Sequence, residues 1–516
     1  MGIIARESIK SAVISYIGVF LGAFNNLWLY PKYLEPEKIG LLKLLQDIPF
    51  LLALFVQLGA SSLTDKFFHH FKDGKKNKGF FSILLIYPFI GYSIFIFSFF
   101  IFNDYWKSKF ASNASLLVDY FIYLVPLTLF MMYISILEAY LRANLNINWS
   151  NFARDILIRI FYTVFVFIYA LKLISFDTLI LMVVAGYGIS LFTLFFYIEK
   201  INILFITKSI AWPEKPLLKE IGTYLLFLIP GTAGSLIAQK IDTIMLAIIG
   251  VKGIKENEGL ENIAIYSMAY FISSVIEIPR RSMSQITTPL LSEAFKENNL
   301  SIVEILYKKN SINQLIAGTS IFLLIWINID DFFLLIPHSE VYKQGKYVIF
   351  FIGISKLFDM ATSINGEIIQ FSKYFKFNLF AILMLAILTV SLNTIFIPLY
   401  KIMGAAIALS ITIFLYNVAK TYFIWNKMKL TPFTKKMIPL VILTSITIVF
   451  TYFFSNQSAG ILEALCWITF RSTLFIIIFY SIVRKLKTSE DLTILIDKTL
   501  SKISEMTGII WIKKYL

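Results

Sequence analysis

Apolar stretches long enough to cross a membrane recur along this chain from one end to the other. An α-helix needs about 20 consecutive apolar residues to span the hydrocarbon core of a bilayer. A lipid-exposed backbone must satisfy its own hydrogen bonds, and these stretches are about twice as long as the strands of a membrane β-barrel. The composition agrees, because 58% of the residues are hydrophobic and only 15% are charged. The sequence therefore predicts an all-α, polytopic integral membrane protein.

Charged or turn-forming clusters separate the apolar stretches, which together predict about fourteen transmembrane helices. These lie near residues 9–30, 39–63, 80–102, 116–140, 155–172, 176–198, 217–239, 263–291, 311–333, 345–370, 377–397, 402–425, 437–455 and 461–483. The connections are short, so we expect a helical bundle without a separate extramembrane domain. No small-residue cleavage site follows the basic N-terminus, and we expect the first segment to be retained.

Lysine and arginine collect at the N-terminus, at the even-numbered junctions and in the C-terminal tail. Cytoplasmic loops carry such an excess, so both termini are predicted to face the cytoplasm. The net charge of +15 is spread over short loops and does not form one basic face, which argues against nucleic-acid binding. In the tail, 485–516, Leu492, Leu495 and Ile496 recur at helical spacing, which predicts an amphipathic helix on the membrane surface with Trp511 at the interface.

Several ionisable residues fall near the middle of the predicted membrane segments, where one charge costs about 2.5–3.5 kcal/mol on insertion scales. In the eighth segment, Glu277, Arg280 and Arg281 share one helical face with serines and a threonine. Pro279 is predicted to kink that helix just before the arginines and to free a carbonyl group. The tenth segment repeats the pattern with charged or amide side chains on one face. These are Lys356, Asp359, Glu367 and Gln370.

Polar side chains also mark the predicted N-terminal segments. Asn25 and Asn26 follow a stripe of serines and glycines, whereas Asp47 and Arg159 lie within about 8 Å of mid-membrane. Two interpretations are open for all of these groups. They can line a water-filled cavity, or they can neutralise one another within a helix, as Glu277 with Arg281 and Lys356 with Asp359. Arg281 can also reach toward the headgroups.

Other charged residues can be explained without a functional role. Glu138 with Arg142, and Arg471 with Glu463, have the spacing of pairs within a helix, and Lys43 and Lys420 fall near predicted helix ends. Asp330 and Asp331 mark the outer end of the ninth segment. In the seventh segment, Pro230, Gly231 and Gly234 predict a bend, or a close approach of helices, that could act as a hinge together with Pro279.

Motifs for the common cofactors are missing from the sequence. No GxxxxGK[ST] stretch that would cradle a nucleotide occurs, and no HExxH pair of zinc ligands occurs. The single Cys466 lies in an apolar stretch, so neither a disulfide nor a cysteine metal cluster is expected. We expect no metal and no organic cofactor.

The stretch "ARESIKSAVISYIGVFLGAFNNLWLYPKYLEPEKIGLLKLLQD" and the later stretches "QKIDTIMLAIIG" and "AIYSMAYFISSVIEIPRRSMSQITTPLLSEAF" carry a family resemblance. They resemble the lipid-linked oligosaccharide (O-antigen or polysaccharide) flippases of the multidrug/oligosaccharidyl-lipid/polysaccharide exporter superfamily. The resemblance implies a MATE-like fold with two six-helix lobes, here 1–200 and 217–425, followed by two additional helices at 437–483. It also implies a central cavity with cationic groups and a place in the bacterial inner membrane.

Such flippases move a polyprenyl-pyrophosphate-linked glycan to the outer leaflet by alternating access, for lipopolysaccharide or other surface polysaccharide, and they are not enzymes. The resemblance suggests cavity residues Asn25, Asn26 and Asp47 in the first lobe, and Asp242, Glu277, Arg280 and Arg281 in the second. Arg280 and Arg281 would bind the phosphates while Glu277 holds their geometry. Membrane lipids and other polysaccharide-assembly proteins are the expected partners.

The source of energy is open between consumption of the glycan outside the cell and a proton or sodium gradient. The carboxylates that could couple to such an ion are Asp47, Asp242, Asp359 and Glu367. The nearest alternative function is a multidrug or cation antiporter of the same superfamily. A membrane glycosyltransferase or polysaccharide polymerase is less favoured, because such enzymes normally need a larger extracytoplasmic loop than any predicted here.

Overall fold

The computed structural model describes residues 3–71, 79–144, 146–203, 215–249, 257–453, 458, 460–494 and 497. Every regular element in these ranges is a helix, and the all-α fold predicted from the sequence is confirmed. Trp511 and most of the predicted tail helix lie outside the described residues.

The chain divides into two compact units. The first unit comprises Met1–Met268 with Leu385–Ala405, and the second comprises Ala269–Met384 with Ala406–Leu516. The helix that follows the predicted first lobe belongs to the first unit, so these units follow packing and do not coincide with the predicted lobes. The lobe boundaries remain a prediction.

The first unit holds the helices of the N-terminal half and the start of α13. They are α1 (Ile3–Phe24), α2 (Tyr30–Tyr33), α3 (Pro36–Val56), α4 (Ala60–Phe71), α5 (Phe80–Ile101), α6 (Asn103–Phe110), α7 (Ser115–Asp119), α8 (Leu124–Ala143), α9 (Ile147–Asn151), α10 (Ile158–Ala170), α11 (Phe176–Lys200), α12 (Lys215–Ile248) and α13 (Glu258–Ser274). Two π-helical turns, Asn25–Leu29 and Phe152–Leu157, interrupt the first and fifth predicted segments. Such turns are rare and often occur at functional sites.

Local signals explain several boundaries in the first unit. Pro36 occupies the first position of α3, where a helix needs no N–H. Ser175 caps α11 by accepting a hydrogen bond from the N–H of Thr178 at 3.2 Å. Gly40 allows α3 to lie against the backbone of Leu260 in α13, because a Cβ at that position would overlap the Leu260 carbonyl group.

The later helices complete the bundle. They are α14 (Ile278–Lys296), α15 (Leu300–Ile327), α16 (Ile329–Leu334), α17 (Ser339–Tyr342), α18 (Lys346–Thr362), α19 (Asn365–Phe371), α20 (Lys376–Met428), α21 (Ile438–Phe453) and α22 (Ile461–Lys485). The eighth and tenth predicted segments are broken in this part, and a third break falls at the predicted junction between the eleventh and twelfth segments. A 3₁₀ turn at Val275–Glu277 separates α13 from α14, Ser363 (φ 51°) ends α18, and Lys401 (φ 51°) divides α20.

Nine of the described helices are long and apolar enough to cross a membrane, or up to 10 if the bent pair of the tenth segment counts as one span. The difference from fourteen has local causes. The eleventh and twelfth segments lie on either side of the kink at Lys401 in α20 and are counted together as one span. Within the fifth and thirteenth segments, α10 has only 13 residues and α21 only 16.

Candidate functional site

The start of α14 brings together three of the predicted site residues in the second unit. Glu277 ends the 3₁₀ turn, and Arg280 and Arg281 lie in the first turn of α14. Pro279 is the second residue of α14, a position where the missing N–H of proline costs no hydrogen bond. The predicted interruption before the arginines is therefore present.

The carbonyl group that this break was expected to free is not available. Val275 is four residues before Pro279, and its carbonyl instead accepts a hydrogen bond from the N–H of Ile278. The tighter 3₁₀ turn satisfies the group that an α-helical proline would leave unpaired. This part of the prediction is wrong.

Glu277 pairs with a lysine from a different helix. Its carboxylate lies 2.5 Å from Nζ of Lys356 in α18, and 3.6 Å from both Nη1 of Arg280 and Nε of Arg281. Arg280 in turn reaches Oδ2 of Asp359 in α18 at 3.2 Å. We call these five residues the α14–α18 charge cluster. The local pairing of Lys356 with Asp359 is replaced by two pairs across helices, because α18 presents both side chains to α14.

The α14–α18 charge cluster is enclosed on one side and open on the other. The side chains of Glu277 and Asp359 are 14% and 16% exposed, and that of Arg281 is 67% exposed. Two carboxylates meet three cations, which leaves one positive charge when all five groups are ionised. Arg281 is the member best placed to present that charge to a ligand.

Two buried amides extend the cluster from Asp359. Asn417 donates to Oδ1 of Asp359 at 2.9 Å and accepts from Nδ2 of Asn365 at 2.9 Å. Both asparagines are fully buried, and neither was selected from the sequence. The sequence signal for such residues is an amide side chain inside an apolar segment, because a buried polar group needs a hydrogen-bond partner.

Lys420 differs from its expected place and lies against α19, which carries the predicted coupling residue Glu367. Lys420 was expected near a helix end but is buried, donates to the Tyr416 hydroxyl at 3.2 Å and approaches Gly366 in α19. Glu367 follows Gly366 and is partly exposed. Among the described residues, Glu367 forms no ion pair.

In the first unit, Asp47 lies between two lysines. Its carboxylate is 2.6 Å from Nζ of Lys240 in α12 and 3.4 Å from Nζ of Lys43, and it accepts a hydrogen bond from Thr243 at 3.1 Å. The Asp47 side chain is 3% exposed. Lys43 is therefore a partner of Asp47 and not merely a helix-end lysine. Lys240 was missed, although the quoted stretch "QKID" contains it.

Asp242 has a different environment from the other predicted acids. It is 2% exposed and accepts hydrogen bonds from the Tyr266 hydroxyl at 2.7 Å and from Nδ2 of Asn393 at 2.6 Å. No lysine or arginine in the described part of the chain lies within ion-pair distance of it. Asn393 is fully buried, and its Oδ1 has no hydrogen-bond partner within the described ranges.

Asn25 and Asn26 are held by helices of the first unit. Asn25 is 1% exposed, donates to the carbonyl of Arg159 at 3.2 Å and accepts from Thr163 at 2.8 Å. Asn26 donates to the carbonyl of Gly22 at 2.7 Å. The two Asn25 bonds join the π turn of the first segment to α10, so Asn25 positions α10 and is not itself open to a ligand.

The predicted hinge in the seventh segment lies inside a continuous helix. α12 runs from Lys215 to Ile248 without a break, through Pro230, Gly231 and Gly234. A hinging role for these residues and for Pro279 remains a prediction.

Partners at the helix ends also differ from those expected. Glu138 pairs with Arg154 at 3.4 Å, while Arg142 pairs with Asp65 at 3.2 Å. Arg471 reaches Asp331 at 2.7 Å, and Asp331 is fully buried, so it does more than end the ninth segment. In each case the arginine pairs with a carboxylate of another helix. The spacing of residues along one helix cannot indicate such a pair.

No protein-family model matches the chain, and no curated protein matches it in sequence. Solved structures do match its fold. The lipid II flippase MurJ, in an inward closed conformation, is 15% identical with a TM-score of 0.68, over 92% of this chain and 99% of MurJ. An inward-facing multidrug resistance MATE family transporter of the MOP superfamily is 14% identical with a TM-score of 0.59, over 87% and 99% of the two chains. A MATE in complex with MaL6 is 16% identical with a TM-score of 0.53, over 82% and 95%. The predicted MATE-like fold is confirmed, and this integral membrane protein has the fold that MurJ and the MATE transporters share.

Proposed function

We propose that the protein is a flippase for a polyprenyl-pyrophosphate-linked oligosaccharide. It moves this lipid from the cytoplasmic to the outer leaflet of a bacterial inner membrane by alternating access, for the synthesis of O antigen or another surface polysaccharide. Its partners are the lipid-linked glycan, membrane lipids and other proteins of polysaccharide assembly. No enzymatic activity is proposed.

The observation that carries the proposal is the positive balance of the α14–α18 charge cluster. A pyrophosphate is a dense anion that cannot cross hydrocarbon alone, and a guanidinium fork matches phosphate oxygens. Arg281 is 67% exposed and touches the cluster only through Glu277, at 3.6 Å. It can therefore exchange protein contacts for a phosphate at low cost.

The alternative, a multidrug or cation antiporter, has one supporting observation. Asp242 is a buried carboxylate without a basic partner in the part of the chain that the structure describes, as a cation site requires. We assign this residue to energy coupling. Asp47 and Asp359 already contact cations, and Glu367 is partly exposed, so the buried Asp242 is the predicted acid with most to gain from a proton or a sodium ion.

The substrate assignment is tested by complementation of a host from which the gene is deleted. Arg280→Ala, Arg281→Ala and the double variant are expressed at equal levels beside Arg142→Ala, which removes a surface ion pair. Surface glycan should fall in the first three, while the lipid-linked precursor accumulates on the cytoplasmic leaflet. Arg281→Ala is the decisive variant, because its exposed side chain is not needed for folding. Export at the wild-type level in Arg281→Ala and in the double variant would show that the role is wrong.

Coupling is tested in vesicles that contain the purified protein. With Asp242 intact, transport of the lipid-linked glycan should fall when an ionophore collapses the proton or sodium gradient. The Asp242→Asn variant should transport the lipid-linked glycan at a rate that the ionophore does not change. Wild-type transport that is indifferent to both gradients excludes ion coupling. A drug-susceptibility screen of the deletion host distinguishes the antiporter from the flippase, because loss of an antiporter would make the host more sensitive to cationic drugs.

A further inference from the structure

Arg159 lies near the middle of the fifth predicted segment and of the helical stretch that contains it. α9, the π turn at Phe152–Leu157 and α10 follow one another from 147 to 170. At about 1.5 Å per residue, Arg159 is roughly 16–18 Å from either end of this stretch. The bilayer core is about 30 Å thick, so a stretch of this length that spans it places Arg159 far from both headgroup regions.

Arg159 differs from the other arginines whose side chains are described. Each of the others has a carboxylate within salt-bridge distance. These pairs are Arg142 with Asp65, Arg154 with Glu138 and Asp155, Arg280 with Glu277 and Asp359, Arg281 with Glu277, Arg471 with Asp331, and Arg484 with Asp497. Arg159 alone of this set has neither an ion pair nor a side-chain hydrogen bond.

The acid nearest to Arg159 along the chain is already engaged. Asp155 binds Nε of Arg154 at 3.1 Å and accepts a hydrogen bond from Ser15 at 3.4 Å. A guanidinium does not lose its proton in proteins. The charge of Arg159 therefore persists within this predicted membrane segment, where it needs water or an anion.

Two glycines of α1 leave room for the guanidinium. A Cβ placed on Gly18 would lie 3.0 Å from Nη1 of Arg159, and one on Gly22 would lie 3.3 Å from Cζ. Asn25 and Thr163 hold the backbone of the same turn through the Arg159 carbonyl. The side chain is partly exposed, so this positioned guanidinium is accessible.

We propose that Arg159 binds the phosphate of a lipid in the first unit. Arg280 is held by Asp359 and Arg281 by Glu277, whereas Arg159 has no carboxylate to release. Phospholipids in a resting bilayer keep their phosphates at the interface, roughly 15 Å from mid-membrane. A phosphate at Arg159 thus belongs to a lipid held inside the protein. That this lipid is the glycan carrier rests on the proposed function.

The test measures lipid binding to the purified full-length protein by native mass spectrometry. The probes are undecaprenyl pyrophosphate, phosphatidylglycerol and undecaprenol, which lacks phosphate. Arg159→Gln should weaken binding of undecaprenyl pyrophosphate by about tenfold to a hundredfold. Arg159→Lys should lose less, because it keeps the charge but not the fork. Undecaprenol binding, and all binding by Arg142→Gln, should stay at the wild-type level.

Glycine variants test the geometry without removing the charge. Gly22→Ala places a methyl group against the guanidinium and should weaken pyrophosphate binding by about threefold or more. Gly188→Ala is its control, because that Cβ would meet the Phe130 ring at an ordinary 3.4 Å. The two variants should unfold at similar temperatures, so that a difference in binding reports on Arg159.

The outcomes separate this site from the proposed function. Wild-type affinity for undecaprenyl pyrophosphate in Arg159→Gln overturns the site, even if the export assay supports a flippase. Equal losses for undecaprenyl pyrophosphate and phosphatidylglycerol support the phosphate site but assign it to bilayer lipids. A wild-type protein that binds neither phosphate lipid overturns both proposals.

Discussion

The ion pair between Glu277 and Lys356 allows a quantitative test of the α14–α18 charge cluster. The two charged atoms are 2.5 Å apart, and the side chains are 14% and 12% exposed. At an effective dielectric constant of about 20, their gross attraction is about 7 kcal/mol. Desolvation offsets much of this, and removing one partner of a buried pair costs about 3–5 kcal/mol. We expect Glu277→Gln to lower the free energy of unfolding by an amount near the top of that range, since three cations then face Asp359 alone.

Lys356→Met should cost less than Glu277→Gln, because Glu277 keeps Arg280 and Arg281. The double variant should recover much of the loss, since a neutral pair leaves no buried charge. Unfolding in mixed detergent micelles gives the four free energies of this double-mutant cycle. We expect a coupling energy of at least about 1.5 kcal/mol.

The exposed pair Glu340 and Lys343 is the matched control. Its charged atoms are 2.9 Å apart, but Glu340 is 85% exposed, so its coupling energy should be about 0–1 kcal/mol. A coupling energy for Glu277 and Lys356 that equals the control value would refute the reasoning. A free energy of unfolding of Glu277→Gln equal to that of the wild type would also refute it.

Three further predictions concern the second unit. Arg471→Met leaves the buried Asp331 without its arginine and should lower the free energy of unfolding by about 3–5 kcal/mol. Adding Asp331→Asn should recover part of this loss. A loss below about 1 kcal/mol for Arg471→Met contradicts the prediction. Ser363→Gly should raise that free energy by about 1 kcal/mol, because Ser363 has φ 51° and its hydroxyl lacks a partner among the described residues; a lower thermal midpoint counts against it. A hydrogen bond from Lys309 lowers the pKa of Asp491. The contact therefore holds at neutral pH and is lost as the pH falls through that lowered pKa. Proteolysis that releases the tail equally fast at pH 7 and pH 3 would contradict this pH dependence.

Much of the fold could be predicted because membrane insertion is a local requirement. A stretch of about 20 apolar residues satisfies its backbone by itself, whatever the rest of the chain does. The same holds for boundaries such as Pro36 at the start of α3, Ser175 before α11 and Pro279 at the start of α14. The break at Lys401 likewise falls at the junction predicted between the eleventh and twelfth segments. By contrast, Ser363 breaks the tenth predicted segment from within, at a position where the sequence has neither glycine nor proline to mark it.

The sequence by itself determined which charges lie within apolar segments, and hence that Glu277, Arg280 and Asp47 need partners or water. Only the tertiary structure decided which partners they have. Spacing of three or four residues shows neighbours along one helix, but the rotation of each helix sets its neighbours across a packed interface. That rotation joined Asp47 to Lys240, and it left Arg159 with its charge unpaired among the described residues. The difference between a neutralised charge and an available one therefore arises from packing, which depends on the whole chain.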